Sequence, residues 1–133
     1  MVGDNLTSKQ GVIALSKAIN LVGKYWFVLS VLLLLAVSFL SLSPLEELPK
    51  VPGPDKTHHL IAYAFLAFPT ALRRPNDWRY IILFFAIYSG AIEVIQPYVN
   101  RYGEWTDFIA NLAGLLIGSI IALIASLSVS GKP

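Results

Sequence analysis

Asp55, Lys56, His59 and Tyr63 stand at helical spacing in this sequence, as do Glu93 with Gln96 and Asp107 with Asn111. With Arg101 they bring acids, bases and amides into a chain that is 56% hydrophobic and only 14% charged, against about 25% charged in an ordinary soluble domain. Three kinds of chemistry suit these types. His59 and Glu93 could exchange protons as general acid and base, and Lys56 and Arg101 could hold an anionic group beside the amides. His59, Glu93 and Asp107 are acceptable metal ligands, but a metal centre is not expected, because no His-x-x-x-His or Glu-x-x-His pair is present and zinc sites usually show such local pairs. The absence of cysteine excludes disulfides and thiolate sites. No glycine-rich phosphate loop and no nucleophile-elbow serine is present, and no cofactor is expected. A net charge of +2 is too small and too scattered for nucleic acid.

The elements that must position these residues are apolar runs. A mean hydropathy of +0.65 points to lipid as the main solvent. Residues 25–43 carry no charge and as a helix span about 28 Å, close to a hydrocarbon core. That length, and Pro44 where cleavage would have to occur, speak against a removed signal peptide. The segment 44–54 holds Pro44, Pro49, Pro52 and Pro54 with Glu46, Glu47 and Lys50, and reads as a loop. A second helix is expected over 56–72, kinked or ended by Pro69, a third over 80–95 and a fourth over 107–127. Upstream, Val12, Leu15, Ile19 and Val22 suit a short helix lying in the membrane interface. The expected architecture is all-α: a polytopic membrane protein with a single four-helix transmembrane domain over 25–128, preceded by a cytoplasmic or interfacial segment over 1–24.

Basic residues orient the bundle. Lys9, Lys17, Lys24, Arg73, Arg74, Arg79 and Lys132 fall on one side, against Lys50, Lys56 and Arg101 on the other, which predicts both termini in the cytoplasm. All the unusual polar residues then share the outer end. An ionisable group costs about 2.5–3.5 kcal/mol at mid-membrane and less near an interface, so Glu93 is expected to face the bundle interior. Arg101, Lys56 and His59 are the cations available to neutralise Glu93, Asp107 and Asp55. Each residue also has an ordinary reading. Asp107 suits a helix N-cap or first turn, His58 and His59 suit an interface, and Tyr25, Trp26, Trp78, Tyr80, Tyr98, Tyr102 and Trp105 suit aromatic belts. Arg73-Arg74 is a topology signal, and Gly114-xxx-Gly118 is a common helix-packing pattern.

Asp55-Lys56-Thr57-His58-His59-Leu60-Ile61-Ala62-Tyr63 resembles the D-K-x-x-H-x-x-x-Y opening of the VanZ-like membrane proteins. Glu93-x-x-Gln96, then Arg101, Asp107, Asn111, Gly114 and Gly118, resembles that family's E-x-x-Q…R…D-x-x-x-N-x-x-G-x-x-x-G tail. The likeness covers about residues 55–121, and its specificity lies in the order of the motifs. Asn100 departs from it, standing where a glycine-like turn residue is expected, and 102–106 is unusually aromatic. The resemblance implies a multi-pass protein of a bacterial plasma or inner membrane, in a family whose named member is associated with low-level teicoplanin resistance.

Three functions stay open. The outer polar layer, formed by Asp55, Lys56, His59, Tyr63, Glu93, Gln96, Arg101, Asp107 and Asn111, could bind a lipid headgroup, a wall precursor or a lipoglycopeptide. It could act as an enzyme on an envelope lipid, with His59 or Glu93 as base. It could serve only as structural packing in an assembly partner. The absence of an activated nucleophile favours the first, and oligomerisation is left open.

Overall fold

The computed structural model describes residues 2–44 and 54–130, with side chains over 9–44 and 54–128. The acidic loop of Glu46, Glu47 and Lys50, the side chain of Asp4, and Lys132 lie outside the described residues. Five α-helices follow in order: α1 Val2–Lys24, α2 Trp26–Leu42, α3 Asp55–Arg73, α4 Trp78–Ile95 and α5 Trp105–Ser130, with a short 3₁₀ helix, Gln96–Val99, after α4. The described residues contain no strand.

Among the described residues, two helical stretches are long and apolar enough to cross a membrane, Trp78–Val99 and Trp105–Ser128. Lys9–Lys24 and Trp26–Leu42 pass only as a pair, and they are bent by 76° at the break between them. The exposed surface is 9199 Å², whereas a soluble protein of this mass exposes about 6,900 Å². Large apolar side chains stand on it: Phe27 and Phe39 of α2, Phe65 of α3, Ile87 of α4, and Leu116 and Leu127 of α5 all point outward. Such a surface suits contact with acyl chains and not with water.

Inside this apolar sheath α3 is the central helix, and its most extensive packing is against α5. It buries His59, Tyr63, Leu66, Ala67, Thr70 and Ala71, a stripe at three- and four-residue steps. The tight approach comes from α5. A Cβ placed on Gly118 would collide with the Ala64 carbonyl oxygen, and one on Gly114 with the Leu60 carbonyl oxygen. The two backbones therefore touch where these glycines lie. Hydrogen bonds fasten α2 to its neighbours, Ser30 with Thr70 on α3 at 2.9 Å and Ser38 with Tyr88 on α4 at 2.6 Å.

The helix expected over 56–72 runs from Asp55 to Arg73, so of the two outcomes expected at Pro69, a kink or a stop, the stop does not occur. A mid-helix proline costs about 3 kcal/mol, and burial of Ala71 and Leu72 against Ala122, with Ile19 and Val22 of α1 alongside, opposes that cost. The stop comes at Arg74, which takes a left-handed conformation (φ 50°), returns its N–H to the Thr70 carbonyl, and precedes Pro75. The N-terminal helix is also longer than expected, running over 2–24. Finally, Asn100 supplies the turn for which a glycine-like residue was expected, at φ 56°, a conformation asparagine tolerates better than most residues.

A methyl group should be tolerated very differently at two helical glycines. Gly118→Ala forces α3 and α5 apart and is expected to lose about 1–3 kcal/mol, whereas Gly23→Ala, with nothing within 4 Å of the added carbon, should be neutral or stabilising. Melting of the two variants in the same detergent measures the difference; equal midpoints would exclude the backbone contact.

Candidate functional site

The site is built where the N-termini of α3 and α5 meet the C-terminus of α4. Helical spacing aligns Asp107, Asn111, Gly114 and Gly118 on one stripe of α5, so the glycines that admit α3 also bring Asn111 against His59. Asn111 is fully buried and bridges three helices. Its Oδ1 lies 3.0 Å from His59 Nδ1 on α3, while its Nδ2 donates to Ser89 Oγ at 3.0 Å and to Glu93 Oε1 at 3.2 Å, both on α4. An amide offers one acceptor and two donors in this arrangement, and all are used.

The second Glu93 oxygen, Oε2, accepts the backbone N–H of Glu104 at 3.2 Å. Gly103 makes that bond possible, because a Cβ there would strike the Glu93 carbonyl oxygen. Glu104 in turn meets Lys56, with Nζ 3.3 Å from Oε2, and accepts from Thr106 Oγ1 at 3.0 Å. The Thr106 bond and then Lys56 hold the Glu104 carboxyl below the usual carboxylate range. Glu93 is thereby tied to α5 and to the loop before it, with neither oxygen left for lipid.

Asp107 occupies the first turn of α5, and its carboxylate points across to α3. Oδ2 lies 3.9 Å from His59 Nε2 and Oδ1 lies 3.9 Å from Lys56 Nζ. Asp55, in the first turn of α3, brings Oδ2 within 3.9 Å of the same His59 nitrogen. One ligand atom each from Asp55, His59 and Asp107 falls within 4.8 Å of the others. Both carboxylates also benefit from the positive end of their helix dipoles.

Three residues of the expected layer do other things. Gln96 is buried and donates from Nε2 to the Ser41 carbonyl of α2 at 3.1 Å. Tyr63 lies a turn below His59, its ring in the apolar core with Leu66, Phe85 and Leu115 and its hydroxyl toward Ser89, the serine that Asn111 also holds. Arg101 reaches the Ser43 carbonyl, Nη1 to O at 3.5 Å, and is not on Glu93. The described residues therefore join His59, Asn111, Glu93, Asp107, Asp55 and Lys56, with Gln96 and Arg101 tying α2 to the loop beside them. Sequence reasoning missed Ser89 as a polar partner, though it precedes Glu93 by one helical turn, and missed Glu104 as the anion that holds Lys56.

A family model described as VanZ/LLP1 matches residues 17–126 of the chain. No curated protein and no solved structure gives a match.

Removing the bridge should cost more than removing the cation. Asn111→Ala leaves His59, Ser89 and Glu93 without a shared partner in a buried setting, at about 1–3 kcal/mol for each stranded group. Arg101→Ala loses one long bond to a carbonyl on a half-buried side chain and should cost about 1 kcal/mol or less. Thermal melting in detergent separates the two, and equal losses would refute the bridging role of Asn111.

Proposed function

The chain belongs to the VanZ/LLP1 family, and from that premise we propose that its polar layer faces the outside of the cell and binds the headgroup of an amphiphile of the envelope. A membrane lipid, a wall precursor and a lipoglycopeptide all present the required mixture of charge and hydrogen-bonding groups at the depth of lipid headgroups. The observation that carries this reading is the bonded set His59, Asn111, Glu93 and Asp107, in which groups from three helices converge at one end of an otherwise apolar bundle. Among the described residues no activated nucleophile stands beside His59 or Glu93, which favours recognition over catalysis.

The reading includes a topology. Helices α2, α3, α4 and α5 each cross the membrane, and both termini are cytoplasmic, following the lysines of α1 and the arginines at 73, 74 and 79. Because α3 is wrapped by its neighbours, it can cross with a polar N-terminal half that lipid would not accept. Helix α1 lies in the inner interface: the 76° bend suits one helix in the plane and the next across it, and Val12, Ile13, Leu15 and Leu21 are exposed for contact with acyl chains.

Single cysteines at Asn76 and Tyr102, both exposed and in a chain with no cysteine of its own, check the orientation. An impermeant thiol reagent applied to intact cells should label position 102 and spare 76; the reverse pattern would invert the topology.

The function itself is tested in cells that express the chain. A fluorescent lipoglycopeptide should accumulate differently at their surface, and Glu93→Gln with His59→Ala should abolish that difference at matched protein level. Arg73→Ala should alter yield or orientation instead. Full activity in the normally expressed double variant would leave the layer as packing.

A further inference from the structure

Asp55-x-x-x-His59 is a local ligand pair of a kind not sought among histidine-containing zinc signatures, since residues four apart share a helix face. The fold brings Asp107 of α5 to that face, placing both carboxylates 3.9 Å from His59 Nε2. Acidic residues near one another are common, and three further observations separate this trio from a solvated cluster.

The first is Asp107 itself. Its side chain is 5% exposed, and the buried Oδ1 accepts no hydrogen bond from any described residue. A buried carboxylate oxygen in that state is costly unless a cation completes it. Lys56 meets Oδ1 only as an ion pair at 3.9 Å, beyond hydrogen-bond reach, and lies closer to Glu104, while the other oxygen, Oδ2, is the one that faces His59 Nε2. The second is the direction of the imidazole. Asn111 Nδ2 is committed to Ser89 and Glu93, so its carbonyl oxygen faces His59 Nδ1 and accepts the proton there. The Nε2 lone pair of neutral His59 then points at two carboxylates, an arrangement that calls for a positive centre between them. A histidine whose other nitrogen is fixed by an amide or carbonyl is the usual form of a metal-ligating imidazole. The third is charge. Asp55, Glu93, Glu104 and Asp107 outnumber Lys56 and Arg101, and Arg101 is spent on the Ser43 carbonyl.

We propose that Asp55, His59 and Asp107 bind one divalent cation, Zn²⁺ or Mn²⁺, through His59 Nε2 and one carboxylate oxygen from each aspartate. Imidazole with two carboxylates suits these ions better than Mg²⁺ or Ca²⁺, which prefer all-oxygen sites. Bonds of about 2.1 Å in a tetrahedral site set ligand atoms about 3.4 Å apart, so each carboxylate must close on His59 by about half an ångström and the two carboxylates on each other by up to about 1.4 Å. Asp55, 68% exposed, is free to rotate inward, and its exposure leaves the remaining coordination positions open to the aqueous side. The cation gives the layer something its acids lack, an acceptor for phosphate or carboxylate oxygens on a headgroup. Only this last consequence rests on the amphiphile-binding reading; the metal trio rests on geometry.

The test uses the full chain, purified in detergent with any affinity tag removed, stripped with chelator and titrated with Zn²⁺ and with Mn²⁺. After gel filtration, elemental analysis should find about one ion per chain for at least one metal. Asp107→Asn and Asp55→Asn should each weaken retention about tenfold or more, while Asp77→Asn, at the other end of the bundle, should leave it unchanged. Asp55→Asn keeps the measurement decisive, because its exposed side chain can be changed without unfolding a buried site. Retention of neither ion by the wild type overturns the proposal, as does unchanged affinity in Asp55→Asn combined with His59→Gln, which would show that His59 is only an imidazolium held between two acids. No envelope lipid, wall precursor or lipoglycopeptide is added, so failure here and failure of headgroup binding in cells are read separately.

Discussion

The approach of α5 to α3 is the constraint on which the rest of the molecule depends. Two helix backbones can touch only where Cβ atoms are missing, and Gly114 and Gly118 meet that requirement a turn apart. Continuing up the same face of α5, the next residues in the stripe are Asn111 and Asp107. The contact that brings the helices together thus also sets the distance from Asn111 to His59 and from Asp107 to the first turn of α3. If that approach loosened by an ångström, the 3.0 Å bond between His59 and Asn111 would pass out of hydrogen-bond range.

Apolar surroundings make the polar layer exacting. Within a bundle sheathed by Phe, Leu and Ile, a donor or acceptor without a partner has no water to turn to. The chain meets most of this with groups that can serve several partners at once, leaving Gln96 Oε1 and Asp107 Oδ1 as buried acceptors without a described hydrogen bond: Asn111 serves three residues, Glu93 uses one oxygen on α5 and the other on the preceding loop, and Lys56 bridges toward two acids. Position along the helices adds to this, since two carboxylates sit in first turns, where the helix dipole favours negative charge. The same arrangement leaves His59 as the junction between the amide chain on one side and the aspartates on the other.

Helix positions were largely legible because uninterrupted apolar runs and prolines carry strong local signals. The runs at 25–43, 80–95 and 107–127 lie within two or three residues of α2, α4 and α5. At Pro69 local backbone cost allowed either a kink or a stop, and the burial of Ala71 and Leu72 beyond it decides against the stop. In the site, residue types and order pointed to Asp55, His59, Glu93, Asp107 and Asn111 as one layer, since helical rise alone puts them at one depth. What spacing does not contain is the choice of partner. Arg101 had formal charge in favour of Glu93, yet the turn at Asn100 delivers it to the Ser43 carbonyl, and the backbone of Glu104 takes the place an arginine was expected to fill. Loop geometry, not composition, made that decision.

The centrality of α3 bears on how the protein enters its membrane. Among the described residues, α3 is not one of the stretches apolar enough to cross by itself, because its first turns carry Asp55, Lys56, His58 and His59. On the four-span topology, insertion machinery that samples segments one after another would find it too polar to release into lipid alone. It has to be retained until α4 and α5 emerge and offer Glu93, Asn111 and Asp107 as partners. Biogenesis then becomes a concerted step, in which the two helices that follow α3 admit the one made before them. A chain truncated ahead of α5 would leave α3 at the membrane surface, exposed to quality-control proteases, however well its own sequence forms a helix.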